Sequence, residues 1–400
     1  MKAFARFLCV LILTAFCVAC GGGGSSAPAA APPAPPTVVA GGEPRALAIR
    51  DFDGDGIPDI VALNVGVFAV TGFFFEGSNV VSVLLGNGDG TFQDRVNYPV
   101  DQRPRTVDVA DLNGDDILDL VVANSTSNNV SVLLGNGDGS FQGQQLFPAG
   151  SQLLVAAVSD INSDTILDII TANQTAEVCL LLGDGDGTFR VPQCLVTPGD
   201  PKFVAAVDLD ADGDTDLLTA NGFELEVLVF LGDGNGTFAP PLPVPTNGVP
   251  FSVAVNDLNG DGAADIISAS GSFNHVSVML GNGDGTFQET ELFPVNNRPI
   301  SIATATFDAD TTIDLVSVSE ALSNFKILLG DGQTFLRNQP FALLTDISNN
   351  PRAVASADLN SDGIPDVVTA NSGQAAADVS VFLGNGDGTF QAEQRFPIGD

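Results

Sequence analysis

Two short motifs alternate seven times along this chain, and that alternation constrains its fold more than any other feature. The first is nine residues long and acidic. It reads DFDGDGIPD from Asp51, DLNGDDILD from Asp111, DINSDTILD from Asp160, DLDADGDTD from Asp208, DLNGDGAAD from Asp257, TFDADTTID from Thr306 and DLNSDGIPD from Asp358. Successive copies start 60, 49, 48, 49, 49 and 52 residues apart. The second motif, VSVLLGNGDGTF at residues 81–92, follows each acidic copy and ends at Phe92, Phe141, Phe189, Phe238, Phe287, Phe335 and Phe390, the sixth copy being one residue short. A period near 50 residues means that each unit is one supersecondary element that buries its apolar surface only against the next.

Within a unit, SVAVNDL before Asn259 alternates apolar and polar, and DIISAS, DLVVAN or DVVTAN after an acidic loop is rich in β-branched residues, so both read as strands. VSVLLG gives a third strand and NGDG a turn. The segment from Thr-Phe to a Phe-Pro pair (Phe147-Pro148, Phe293-Pro294, Phe396-Pro397) gives a fourth. Four short strands in about 50 residues, seven times over, predict an all-β, seven-bladed β-propeller with four-stranded antiparallel blades. It takes up residues 44–400 and leaves no length for a second domain. The seven repeated phenylalanines are expected between blades, where flat apolar faces meet without needing a polar partner.

The acidic loop carries the chemistry. Oxygen side chains at positions 1, 3, 5 and 9, often with glycine at position 6, suit one hard cation such as calcium, which takes six to eight oxygens. The candidate ligands are Asp51, Asp53, Asp55 and Asp59 in the first copy; Asp111, Asn113, Asp115 and Asp119 in the second; Asp160, Asn162, Asp164 and Asp168 in the third. They continue as Asp208, Asp210, Asp212 and Asp216; Asp257, Asn259, Asp261 and Asp265; and Asp358, Asn360, Asp362 and Asp366. The sixth copy keeps Asp308, Asp310 and Asp314 but has Thr306 at position 1, so its site is expected to be weak or empty. Position 12 of the first copy is Ala62 rather than the Glu of an EF-hand, and a strand follows in place of a helix. About five to seven structural calcium ions are therefore expected, because uncompensated carboxylates in one loop repel each other and oppose folding. Asp116 and Thr165 replace the position-6 glycine in copies two and three and strain the turn. The alternative, acidic turns that only solvate the protein, does not explain why the same positions recur. The NGDG segments read as hairpin turns rather than as further calcium repeats.

DLNGDGxxD followed by SVLLGNGDGTF resembles the bacterial FG-GAP/VCBS-type repeat, related to the propeller of integrin α-subunits. The resemblance spans about 350 residues. It implies calcium loops between strands one and two on one rim and partner binding on the opposite face, and it does not specify an activity. On that opposite face the first unit carries a longer insertion, VGVFAVTGFFFEGSN, whose Phe68, Phe73, Phe74 and Phe75 make a candidate partner loop.

Residues 1–19 read as an export signal, with Lys2 and Arg6 before the apolar run Phe7–Ala19. The ending Val18-Ala19-Cys20 resembles a bacterial lipoprotein signal and makes Cys20 the candidate lipid-bearing residue; the alternative is cleavage and free secretion. Residues 20–43, rich in Gly, Ser, Ala and Pro, are a tether. The expected location is the cell envelope, as an outer-membrane or cell-surface lipoprotein held to the membrane by the anchor alone. Losing Lys2 and Arg6 takes the formal charge from −35 to −37, which disfavours nucleic acid. Cys179 and Cys194 flank a GDGDG turn and suit a disulfide in an exported protein, or remain as two buried thiols.

The leading functional expectation is a calcium-stabilised, monomeric binding or adhesion module for an unknown protein or glycan ligand, with no chemistry of its own. The alternatives are a polysaccharide lyase-like propeller enzyme and a scaffold subunit of an envelope complex. An enzyme needs a base and cationic subsites. The chain offers one histidine, His275, and beyond the signal only twelve Lys and Arg, scattered along the sequence.

Overall fold

The computed structural model describes residues 43–65, 79–222, 224–295, 298–308, 310–319, 324–334, 350–372 and 377–398. Blade one consists of β1 (Glu43–Arg50), β2 (Asp59–Val65), β3 (Val80–Leu84) and β4 (Val96–Pro99), paired antiparallel in chain order. The same four-strand order recurs in residues 104–148, 153–196, 201–245, 250–294 and 351–397. The sixth blade shows three strands between 299 and 328, and its expected fourth strand falls in residues 335–349, outside the described residues. Seven sheets in a ring make the seven-bladed propeller.

The predicted fourth strand is shorter than expected. Only its last four residues, such as QLFP at Gln145–Pro148, join the sheet, and the repeated phenylalanine sits upstream in a single bridge, Gly135 to Phe141. The glycine turn between them uses up the intervening chain.

The first strands are innermost. β1 touches its counterparts in blade two (Pro104–Ala110) and blade seven (Pro351–Ala357), and each first strand in turn touches the next. Thr106 accepts a hydrogen bond from the Ala156 amide (3.1 Å), and Asp108 accepts one from the Val158 amide (2.9 Å), so polar groups as well as apolar ones join neighbouring inner strands. Burial pushes the Asp108 carboxyl up to about 7, against the pull of its two amide donors and the Arg50 charge.

Second strands are buried along their whole length, polar Thr171, Asn173, Thr219 and Asn221 included, which is why they do not alternate between an apolar and a polar face. Seven apolar clusters result, each lying between two consecutive blades. The repeated phenylalanines work there as expected. Phe141 of blade two meets Phe52 and Tyr98 of blade one edge-on at 5.7 and 5.5 Å, and Phe390 of blade seven meets Phe307 and Phe325 of blade six at 5.7 Å each. Gly139 shows why the turn beside them needs glycine: its φ is 75°, and a Cβ would lie 2.5 Å from Leu85 of the preceding blade.

The ring closes without sharing a strand between its ends. Polar residues on second strands donate to the carbonyl just after strand four of the preceding blade: Thr171 to Ala149 (3.0 Å) and Asn221 to Pro198 (3.0 Å). Asn64 of blade one makes the same bond to Ile398 of blade seven at 2.6 Å, and Phe92 stacks edge-on with Phe396. The junction between chain ends is thus built like those between blades two and three and between blades three and four.

Candidate functional site

Each acidic loop joins strands one and two, so all of them emerge on one rim with the NGDG turns. Position 1 turns the loop on itself. Asp51 accepts the Gly54 amide at 2.7 Å and the Gly56 amide at 2.8 Å, and the position-6 amide is bound in the same way by Asp111, Asp160, Asp208, Asp257 and Asp358. Position 5 accepts the position-7 amide in all seven copies, Asp55 to Ile57 at 2.8 Å among them. Asp116 and Thr165 hold φ values of 64° and 73°, the left-handed backbone that Gly56, Gly213, Gly262 and Gly363 adopt in copies one, four, five and seven. The expected strain is real and is held by these hydrogen bonds.

In blade one, carboxylate oxygens of Asp51, Asp53 and Asp59 lie within 4.8 Å of one another, and in blade four so do those of Asp208, Asp210 and Asp216. Oxygens about 2.3–2.6 Å from a shared calcium span distances of this order, so the residues present fit that ion. Asp53 and Asp210 are pushed up from the usual carboxylate range, first by desolvation and then by the like charges at positions 1 and 5. Copies with asparagine at position 3 relieve that crowding. Asn113, Asn259 and Asn360 donate to the position-5 carboxylates at 3.0, 2.8 and 3.0 Å. In the sixth loop Asp308 and Asp310 retain their places, while Thr306 supplies no carboxylate at position 1.

Position 9 has a second role that the spacing did not reveal. Asp59 accepts the Phe52 amide at 2.8 Å and the Gly86 amide at 2.7 Å, which ties the acidic loop to the start of its own blade's GNGDG turn. Asp119, Asp168, Asp216, Asp265, Asp314 and Asp366 do the same at 2.6–3.1 Å. These seven side chains are at most 1% exposed. Burial pushes Asp59, Asp119, Asp168, Asp216 and Asp314 to about 6 and Asp366 to about 7, and raises Asp265 too. Recurrence at position 9 therefore has a structural cause besides any metal.

The NGDG turns close on themselves. Asn87 donates to the Thr91 hydroxyl at 2.9 Å, and Asp89 accepts the Thr91 amide at 3.0 Å, as hairpin turns require. Cys179 and Cys194 form a disulfide between directly paired residues of strands three and four in blade three. His275 opens strand three of blade five; its ring stacks on Phe273 at 5.9 Å and burial lowers its pKa. Phe68, Phe73, Phe74 and Phe75 lie outside the described residues, as do Cys20, the signal and all of the tether up to residue 42; residue 43 already belongs to β1.

One group of residues escaped the sequence reading. In every blade the first strand bulges near its start, and the bulged residues are Arg45, Arg105, Leu154, Lys202, Phe251, Ile300 and Arg352. They sit on the rim opposite the acidic loops. The signal was present as a Pro-basic dipeptide at Pro44-Arg45, Pro104-Arg105, Pro201-Lys202 and Pro351-Arg352.

Fold and loops together define a seven-bladed propeller with an acidic loop at the same place in every blade. The FG-GAP-like repeat matches seven times, at residues 51–122, 111–171, 160–219, 208–268, 257–317, 307–369 and 358–400, and the chain belongs to that family. No curated protein matches it. Among solved structures it is similar to BBS1N in complex with ARL6DN, at TM-score 0.58 and 8% identity over 86% of this chain and 93% of that one. It is also similar to a catalytically inactive virginiamycin B lyase from Staphylococcus aureus with quinupristin (TM-score 0.54, 12% identity, 83% and 92% covered). A protein of unknown function from Desulfotomaculum acetoxidans gives TM-score 0.56 at 11% identity, covering 78% and 91%. At such identities these likenesses concern the fold alone.

Proposed function

We propose that the protein is an exported, calcium-stabilised binding module, anchored by a lipid on Cys20, that presents the rim opposite its acidic loops to a protein or glycan ligand. The observation that carries this reading is the convergence of carboxylates from positions 1, 3 and 9 in one loop, in blades one and four, at a spacing a single calcium ion fits. Calcium there would neutralise the crowded carboxylates and order the rim. It supplies no chemistry to a substrate. With one rim committed to metal and turns, the other rim is left for recognition, and there the residues differ from blade to blade.

The test is a calcium count by native mass spectrometry of the full chain, with thermal unfolding before and after chelation. The reading expects about five to seven bound ions and a large loss of melting temperature on chelation. No bound metal and an unchanged melting curve would reduce the loops to self-capped turns and remove the proposal. Mass analysis of the N-terminus separately tests for a diacylglycerol on Cys20.

A further inference from the structure

We infer that blade three carries a redox-gated site for a soft divalent metal ion such as zinc, closed as the Cys179–Cys194 disulfide and opened by reduction, with Glu177, Cys179 and Cys194 as its ligands. The site lies apart from the acidic loops and does not depend on the calcium reading.

Strand geometry puts the three side chains together. Glu177 and Cys179 are two residues apart in strand three of blade three (Glu177–Leu181), so they project from the same face of the sheet. Cys194 of strand four (Gln193–Val196) is the residue directly opposite Cys179. The Glu177 carboxylate and the two sulfurs lie within 4.8 Å of one another, and among the described residues no other such group contains sulfur. Two thiolates about 2.3 Å from a tetrahedral zinc stand about 3.8 Å apart, a separation that rotation about the two Cα–Cβ bonds reaches once the disulfide is opened.

The surroundings favour those ligands. Thr175 shares its hydroxyl proton between the Glu177 carboxylate and the Ser151 carbonyl, each at 3.2 Å. The Asn173 amide donates to the Cys179 sulfur at 3.2 Å, a contact that stabilises a thiolate there. Cys179 is fully buried, with Gly150 of the connection from blade two against it, while Cys194 on the outermost strand is exposed. The open side of the site is therefore that of Cys194, where water completes the four-coordination of zinc.

A covalent staple is not what this hairpin needs. The same two positions hold Ser82 and Asn97 in blade one, Ser131 and Leu146 in blade two, Ser277 and Leu292 in blade five, and Ser380 and Arg395 in blade seven. Those strands pair in the same way without a disulfide. Blade three differs in offering two sulfurs beside a carboxylate, which is a donor set for zinc rather than for a hard ion such as calcium.

Opening the site is a thiol–disulfide exchange. A dithiol reductant attacks the exposed Cys194 sulfur, the S–S bond breaks, and Cys179 leaves as a thiolate beside the Asn173 amide. The reductant's second thiol then displaces Cys194 and the reductant ends as a disulfide, so two electrons pass to the protein. The two cysteines give up two protons to solvent when the metal binds.

The test takes the full chain in excess calcium, reduces it with a phosphine, which becomes its oxide, and titrates it with cobalt(II). Cobalt bound to thiolate absorbs in the near ultraviolet by sulfur-to-metal charge transfer, and cobalt bound by oxygen alone does not. Reduction is expected to release two thiols, one equivalent of cobalt to produce the band, and one equivalent of zinc to bleach it. The unreduced chain should give no band. Cys179→Ser/Cys194→Asn writes the blade-one pair into blade three, so it should fold and give no band either. Glu177→Gln should keep the band but weaken cobalt binding by about tenfold or more. A disulfide that resists reduction, a reduced chain without the band, or a band that survives in the double variant overturns the inference. Unchanged affinity in Glu177→Gln overturns the three-ligand site. None of these outcomes alters the calcium count, so the binding-module reading stands or falls separately.

Discussion

The two rims of this propeller use repetition in opposite ways. On the acidic rim the same side chains recur in blade after blade: the position-5 carboxylate caps its turn and the position-9 carboxylate binds two amides in all seven. On the other rim the same backbone recurs, a bulge near the start of each inner strand, while the side chain it displays varies from arginine to leucine to phenylalanine. Where a side chain satisfies the backbone of its own blade, geometry dictates its identity. Where the backbone is satisfied by the strand pairing, the side chain is free to serve something outside the blade.

The largest effect that would break this comparison is calcium removal. Each site loaded at a hundred times its dissociation constant contributes about 2.7 kcal/mol, so emptying several should lower the melting temperature by tens of degrees. An unchanged melting curve after chelation would leave both rims shaped by the protein's own hydrogen bonds and packing alone. Next comes Phe141→Ala, which empties an edge-to-face aromatic contact between blades one and two. It should cost about 3–5 kcal/mol in denaturant unfolding, with or without calcium.

Asp111→Ala and Asp119→Ala sharpen the distinction within a single loop. Asp119 binds two buried amides, so its loss should cost about 2–3 kcal/mol even in chelator. Asp111 binds the exposed amides of its own turn, so its loss should matter chiefly when calcium is present. Equal costs for the two variants in chelator would contradict the separate role given to position 9.

The effect that is smallest at each step of its titration concerns the axis. Asp108 holds its proton up to about pH 7 in the folded state, well above the unfolded carboxylate, so its contribution is complete at acid pH and is lost as pH rises from about 4 to 7. Asp108→Asn should remove about one proton from the pH dependence of stability in that window, roughly 1.4 kcal/mol per pH unit. An unaltered slope would mean that the Arg50 charge, rather than burial, governs this carboxylate.

Most of the fold was legible because it repeats. A motif such as DLNGDGAAD followed by DIISAS carries its own turn, its own strand and its own period, and seven copies leave only a closed ring as the way to cover every second strand. The phenylalanines were legible for the same reason, as apolar residues fixed to a turn. Position 9 was only half legible. Its spacing pointed to a metal, but its partners, Phe52 and Gly86, lie 7 and 27 residues away and become visible only when strand two places the carboxylate between two loops. The disulfide was open until strand register set Cys179 opposite Cys194.

The sequence by itself determined the number of blades, the order of strands and the place of the acidic loops, because these depend on local turn chemistry and short-range periodicity. The ring closure through Asn64 and Ile398, 334 residues apart, was decided by tertiary structure. So was the gathering of arginines from positions 45, 103, 105 and 352 onto one end of the axis. The ring closure leaves no local trace and the arginines leave only their Pro-basic dipeptides, since each juxtaposition depends on a circle of blades bringing the first and last inner strands side by side.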